Sequence, residues 1–256
     1  MKTKDWLNHF ETNQSNVLAI KPDAYRLSDE ERSRITSSIQ SFQLGESSEG
    51  NILREQAKTY SEQIDRPEYL RSIEYLIKEE NRHSSYLLTF MRGHKIPQLR
   101  RGWNDSCFRF LRRLAGIEQS ARVLVTAEII AMTYYSCLGS ATRSPVLKEV
   151  CQRMCDEEKT HVAFQMHHIH EMNFRKHGLL GALANLAHFM LLLVTLIFVW
   201  SEHSRVLRSQ HTFASFVKKV CHDFIEVNFE GQLSAAKTLV DEGYLSKEAL
   251  CTATHQ

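Results

Sequence analysis

Two Glu-x-x-His quartets contain the residues best suited to chemistry in this sequence, Glu80 with His83 and Glu158 with His161. Residues i and i+3 lie on one face of a helix, so each quartet directs a carboxylate and an imidazole toward the same point. Both quartets lie inside apolar helical patterns, where unpaired charge is disfavoured. Carboxylate and imidazole together suit iron or manganese better than copper or zinc. The pattern therefore predicts metal ligands facing a helical core.

A third carboxylate accompanies the second quartet. Pro145 predicts the first residue of a helix, which places a turn at residues 142–144. Glu128 lies about as far before this turn as Glu158 lies after it. Equidistant residues face each other in an antiparallel helix pair, so we expect Glu128 to meet the second quartet.

The first quartet has several candidate partners. Pro67 begins the helix of the first quartet, which places the preceding turn at Arg66. Residues at equal distances from this turn face each other, and this relation favours Glu49 as the carboxylate that faces the quartet. Glu55 lies on a more polar face and is disfavoured. Glu46, one turn before Glu49, remains the alternative.

The two halves share one layout, because Glu49 precedes Glu80 by 31 residues and Glu128 precedes Glu158 by 30. This layout, one Glu from each of two helices and Glu-x-x-His from each of two others, resembles the ferritin-like di-iron carboxylate superfamily over roughly residues 28–170. The resemblance implies an all-α fold, a ferritin-like antiparallel four-helix bundle with additional C-terminal helices. It implies two iron ions, or a mixed manganese and iron pair, held by Glu49, Glu80, His83, Glu128, Glu158 and His161.

The resemblance also implies a di-iron oxidoreductase. The expected reaction is O2-dependent hydroxylation, desaturation or N-oxygenation of a small or carrier-bound substrate, with an external electron donor. The long C-terminal part fits iron storage poorly, and the absence of Cys-x-x-Cys disfavours a peroxide-scavenging protein. Several hydroxylases and desaturases carry a Thr one turn after the third-helix Glu, where this chain has Ala131 and Met132. Tyr135, seven residues after Glu128, is a candidate catalytic neighbour.

Composition supports the helical class and excludes one class of partner. The 256 residues include only 10 Gly and 4 Pro, and every Pro falls at a predicted helix start or connection. A net charge of +2 is close to neutral and does not indicate nucleic-acid binding. The first twenty residues lack an apolar core, and the cysteines show no metal-binding spacing, so we expect a cytoplasmic protein with reduced thiols.

The chain divides into three predicted parts: an N-terminal arm at 1–27, the di-metal bundle at 28–175 and a helical extension at 176–256. Ser28 is expected to cap a first helix that runs to about Gln63.

Residues 179–200 carry no formal charge and are long enough to span a bilayer. A buried fifth helix covering the bundle is favoured for them. The alternatives are a homodimer contact and membrane association, in which the chain would be a non-enzymatic assembly or membrane-attached module.

Overall fold

The computed structural model describes residues 3–21, 23–47, 50–99, 116–174 and 179–243, and these residues form helices without a strand. The helices are α1 Thr3–Asn13, α2 Asp29–Glu46, α3 Asn51–Gln63, α4 Pro67–Gly93, α5 Ile117–Ala141, α6 Pro145–Phe174, α7 Leu179–Leu207 and α8 Phe213–Asp241. The predicted all-α class is therefore confirmed as a helical bundle. The predicted boundary between bundle and extension, at 175–176, falls outside the described residues.

Local sequence signals start the helices where they are predicted to start. The Ser28 hydroxyl accepts a hydrogen bond from the backbone N–H of Glu31 at the start of α2. Ser144 caps α6 in the same way, accepting from the N–H of Leu147 at 3.0 Å. Both α4 and α6 begin with a proline, whose missing N–H has no partner in a first helical turn.

The single helix predicted to reach Gln63 is instead broken into α2 and α3. α2 ends at Glu46, and Gly50 precedes α3 with a left-handed φ of 64°. A Cβ on Gly50 would lie 2.7 Å from side-chain atoms of Ile77, so only glycine fits this position. The break shifts the register of the first helix relative to α4.

Four helices, α2, α4, α5 and α6, supply the residues of the candidate site. α5 and α6 form an antiparallel hairpin with a connection at residues 142–144, as predicted. α1 packs its aromatic residues on the neighbouring part of α6, with Trp6 and Phe10 ring centroids 5.7 and 5.2 Å from that of Phe164. The N-terminal arm is therefore part of the packed core.

The predicted buried helix at 179–200 is buried on one face only. Leu192 and Leu196 lie in the core, but only 28% of the most apolar 18-residue window of α7 is buried. Its outer face is more than half exposed at Leu180, Leu183, Leu186, Met190, Val194 and Ile197. Two helices in the described part of the chain, α5 and α7, are long and apolar enough to cross a membrane by length and composition. For α5 that window is 67% buried, as in the core helix of a soluble protein.

Replacing Gly50 by Ala is expected to lower the free energy of unfolding by about 1–3 kcal/mol, because of backbone strain and the contact with Ile77. Gly45 is the matched control, since it lies in the last turn of α2 with open space around its Cα. Gly45→Ala should raise stability by about 0.5–1 kcal/mol. Urea unfolding of both variants measures the effect, and equal stabilities would contradict the role assigned to Gly50.

Candidate metal centre

The structure brings five of the six predicted ligands together with the alternative residue, Glu46. Two groups of potential ligand atoms each lie within 4.8 Å of one another. One group is Glu46, Glu80, His83 and Glu158, and the other is Glu80, Glu128, Glu158 and His161. Glu80 and Glu158 belong to both groups, so their carboxylates lie where two ions would share ligands.

Glu49 lies outside the described residues. Its prediction assumes that the first helix continues unbroken to Gln63, whereas α2 ends at Glu46. Glu46 is the last residue of α2 and is 8% exposed, facing the quartet on α4.

The two histidines direct their Nδ1 atoms toward the shared carboxylates. His161 Nδ1 lies 2.9 Å from Glu80 Oε1 and 3.2 Å from Glu158 Oε2. His83 Nδ1 lies 3.3 Å from Glu158 Oε1 and 3.9 Å from Glu46 Oε2. The two ring planes are inclined by 27°, and their centroids lie 5.6 Å apart, so the two histidines lie side by side in the centre.

The opposite nitrogen of each ring is held by a carboxylate from the other quartet's helix. His83 Nε2 lies 2.8 Å from Glu157 Oε2, and His161 Nε2 lies 2.8 Å from Glu79 Oε2. A carboxylate only accepts, so each Nε2–H donates, and a neutral ring presents its Nδ1 lone pair inward. Such outer carboxylates fix the tautomer and ring orientation of metal-binding histidines.

The end of α1 closes over the outer carboxylates. Asn13 Nδ2 donates to Glu79 Oε1 at 2.9 Å and to Glu157 Oε1 at 3.3 Å. Arg82 lies 3.2 Å from Glu79 and 3.7 Å from Glu157, and its guanidinium also donates to the carbonyl of Asn13 at 3.3 Å. The N-terminal helix is thereby tied to both histidines through one pair of carboxylates.

The inner carboxylates are those of the two ligand groups, Glu46, Glu80, Glu128 and Glu158. Burial and the crowding of negative charge together set the protonation of Glu46, Glu128 and Glu158. Burial raises the pKa of Glu46 and of Glu128 well above the usual 4.5, and the nearby charges of Glu80 and Glu158 raise it further. Burial also acts to raise the pKa of Glu158, but hydrogen bonds from the two histidines outweigh it and bring that pKa to about 2. Without cations, the inner carboxylates therefore cannot all be ionised together.

The histidines take the missing positive charge. Burial acts to lower the pKa of His83 and His161, but their carboxylate partners outweigh it and raise both values well above 6.5. The same pairing with His83, against the effect of burial, lowers the pKa of Glu157. Protons thus supply the positive charge that a metal ion would supply.

Two further side chains bind the inner carboxylates directly. The Tyr135 hydroxyl donates a hydrogen bond to Glu46. Gln165 Nε2 donates to both oxygens of Glu128, at 2.5 and 2.6 Å. Burial raises the pKa of Tyr135 well above 10, so the phenol stays protonated at neutral pH.

A cavity of about 200 Å³ lies against the centre. The four inner carboxylates, Glu46, Glu80, Glu128 and Glu158, line part of it. The remaining lining is mostly apolar and comes from five helices, α2, α3, α4, α5 and α7, including Leu53, Leu76, Ile77, Val123, Ile130, Phe198 and Val199. The cavity therefore offers an apolar molecule direct access to the carboxylates.

The sequence prediction misses Glu79, Glu157 and His203, as well as Asn13, Arg82 and Gln165, whose contacts are given above. Glu79 and Glu157 have a signal, because both quartets extend to Glu-Glu-x-x-His. His203, buried on α7, lines the cavity and lies 2.9 Å from the hydroxyl of Ser38. No spacing relates His203 to the quartets, since it belongs to a different helix hairpin.

The metal-free chain is expected to lose stability as the pH rises from 7 to 8.5. Glu46, Glu128, His83 and His161 all have raised pKa values, so the folded chain holds protons that the unfolded chain releases. A saturating divalent ion such as Mn²⁺ should remove or reverse this decrease by taking the place of the protons. Urea unfolding at both pH values, with chelator and with Mn²⁺, measures the difference.

The pH range of this test lies above 6.5 because other histidines, which are buried in neutral form, affect stability in the opposite sense at lower pH. Their contribution to stability is lost as the pH falls and they become protonated. Burial lowers the pKa of His167, His168, His170, His188 and His203. A metal-free chain that is more stable at pH 8.5 than at pH 7 would contradict the assigned protonation.

Comparison of the chain with family models, with curated proteins and with solved structures found no match in any of the three.

Proposed function

We propose that the chain is a ferritin-like di-iron oxidoreductase that uses O2 to oxidise an apolar substrate, or the apolar part of a carrier-bound one. The observation that carries this proposal is the pair of overlapping ligand groups, sharing Glu80 and Glu158 beside an apolar cavity. The resemblance in the spacing of the quartets supports the ferritin-like type.

The residues present fit two divalent ions. His83 Nδ1 and Glu80 Oε1 are buried and have no well-aligned hydrogen bond within the described ranges. An ion in each group would satisfy these atoms. Four carboxylates also balance the charge of two divalent ions, which offsets the burial and the mutual repulsion that otherwise raise the pKa of Glu46 and Glu128.

The donor set favours iron or manganese, because it combines oxygen and imidazole ligands without a thiolate. When bound, a pair of Fe(II) ions supplies two electrons to O2, which suits oxidation of a C–H or N–H bond.

The chain's own groups hold and shape this site. Glu79 and Glu157 orient the imidazoles, and the Tyr135 hydroxyl holds the Glu46 carboxylate. Tyr135 also keeps a proton within reach of the centre. The apolar cavity excludes water and positions the substrate beside the inner carboxylates.

Purified protein is expected to retain about two iron or manganese ions per chain. Glu158→Gln should lose most of this metal, because Glu158 belongs to both ligand groups. Glu55→Gln is the control, since Glu55 is an exposed residue on α3. Elemental analysis of the folded proteins counts the ions, and oxygen consumption by the Fe(II)-loaded chain tests the reaction.

Loading the protein with excess iron tests whether it stores iron. Hundreds of irons per assembly would refute the proposed oxidoreductase.

Glu79→Gln and Glu157→Gln are each expected to weaken metal binding by about 10–100-fold while the chain remains folded. The amide no longer fixes the charge and tautomer of the histidine that it contacts. Competition with a chelator of known affinity measures the change. Affinities equal to that of Glu55→Gln would show that the outer carboxylates only stabilise the fold.

A second candidate is a non-enzymatic helical module that attaches to a membrane or another protein through α7. The exposed apolar face of α7 favours it, because soluble monomers seldom leave such a stripe uncovered. Folded protein that binds no metal would support this candidate over the oxidoreductase.

A further inference from the structure

A second cluster of metal-binding side chains lies on α6, beyond the candidate metal centre. His167, His168 and Glu171 each offer one ligand atom, and the three atoms lie within 4.8 Å of one another. All three residues are at most 1% exposed. His168 lies seven residues after His161, which places this cluster about 10 Å farther along the helix axis. None of the three belongs to the ligand groups described above.

The hydrogen bond of His168 determines which of its nitrogens is free. His168 Nδ1 lies 2.9 Å from the carbonyl oxygen of Phe164. A carbonyl can only accept, so Nδ1 carries the proton and donates. A neutral ring then has a lone pair on Nε2, the atom that faces the cluster. A backbone carbonyl on the opposite nitrogen is a common support of a metal-binding histidine.

His167 can present its Nε2 in the same form. Its Nδ1 lies 2.9 Å from the hydroxyl of Ser234 on α8. A serine hydroxyl can accept as well as donate, so Nδ1–H can donate to it and leave the Nε2 lone pair free. Two helices therefore orient the two rings.

Three buried atoms of this cluster remain unsatisfied. His167 Nε2, His168 Nε2 and Glu171 Oε2 have no hydrogen-bond partner among the described residues. Glu171 Oε2 lies 3.9 Å from His167 Nε2 and 3.8 Å from His168 Nε2, beyond hydrogen-bonding distance. Leaving such atoms unpaired in a core destabilises the fold, because their lost hydration is not replaced. Three converging acceptors need either a cation or a donor between them.

The spacing of these atoms suits a single ion. Ligand atoms about 2.1 Å from a tetrahedral ion lie about 3.4 Å apart, so the two separations between Glu171 and the histidines, 3.9 and 3.8 Å, require a contraction of a few tenths of an ångström. Small side-chain rotations of the histidines and Glu171 can supply that contraction.

The charge balance also leaves room for a cation. Glu171 Oε1 binds Arg66 at 3.0 Å, and Arg66 also pairs with Glu242. One guanidinium thus serves two carboxylates, so Arg66 does not neutralise Glu171 alone.

We propose that His167, His168 and Glu171 bind a single divalent transition-metal ion, separate from the dinuclear centre. Two imidazoles and one carboxylate are a ligand set used for zinc and for mononuclear Fe(II), with the remaining positions open to water. The site joins α6, α8 and, through Arg66, the turn before α4.

Zinc binding to the full chain tests the proposal. The protein is saturated with Zn²⁺, excess metal is removed, and bound zinc is counted by elemental analysis. His168→Gln and Glu171→Gln should each lose about one zinc ion per chain relative to the unmodified chain. His170→Gln is the matched control and should lose none, because His170 is also buried on the same helix but bonds Asn228 instead, at 3.1 Å.

The count separates this site from the dinuclear centre. Glu158→Gln should keep about one zinc ion, which His168→Gln in the same chain should then remove. A chain that binds one ion, lost in His168→Gln, would refute the dinuclear centre and support this site. Equal zinc content in the unmodified chain and in His168→Gln would overturn this site and indicate a buried water in its place.

An anomalous difference map from zinc-soaked crystals of the unmodified chain answers the question even if the variants do not fold. A peak between His167, His168 and Glu171 is expected, and its absence refutes the proposal.

Discussion

The burial of like charges at one point is the constraint on which the rest of the structure depends. Four carboxylates from α2, α4, α5 and α6 converge inside the bundle, and each buried ionised group there costs several kcal/mol unless it is compensated. The chain compensates in layers. The two histidines face the carboxylates, Glu79 and Glu157 face the histidines, and Asn13 with Arg82 face that outer pair. From the centre outward, layers of carboxylates therefore alternate with layers of hydrogen-bond donors.

This layering explains why α1 packs where it does. Its aromatic residues bury apolar surface against α6, and its last residue provides the amide that binds both outer carboxylates. The apolar contacts provide the driving force for docking, and the hydrogen bonds of Asn13 fix the orientation. A segment that looks weakly patterned in the sequence therefore completes the polar network of the core.

Much of the site follows from helical periodicity and from the position of turns. Pro145 locates the hairpin that brings Glu128 opposite the second quartet, and such local signals fix the register of adjacent antiparallel helices. The first half follows less well, because the helix breaks at Gly50, which has a left-handed φ and lies too close to Ile77 on another helix to carry a side chain. That contact joins two different helices, so the equal-distance relation between residues on either side of a single turn cannot predict it. The cavity wall from α7 and the position of His203 are missed for the same reason.

α7 has two faces with different environments, and this has a thermodynamic consequence. Its inner face contributes Thr195, Phe198 and Val199 to the cavity wall, while Val194 and Ile197 beside them are exposed. A lipid film, a detergent micelle or another protein that binds the outer face and displaces the inner face would change the affinity of the cavity for any molecule that binds there. Thermodynamic linkage makes this effect reciprocal, so occupancy of the cavity would change the binding affinity of the outer face by the same factor.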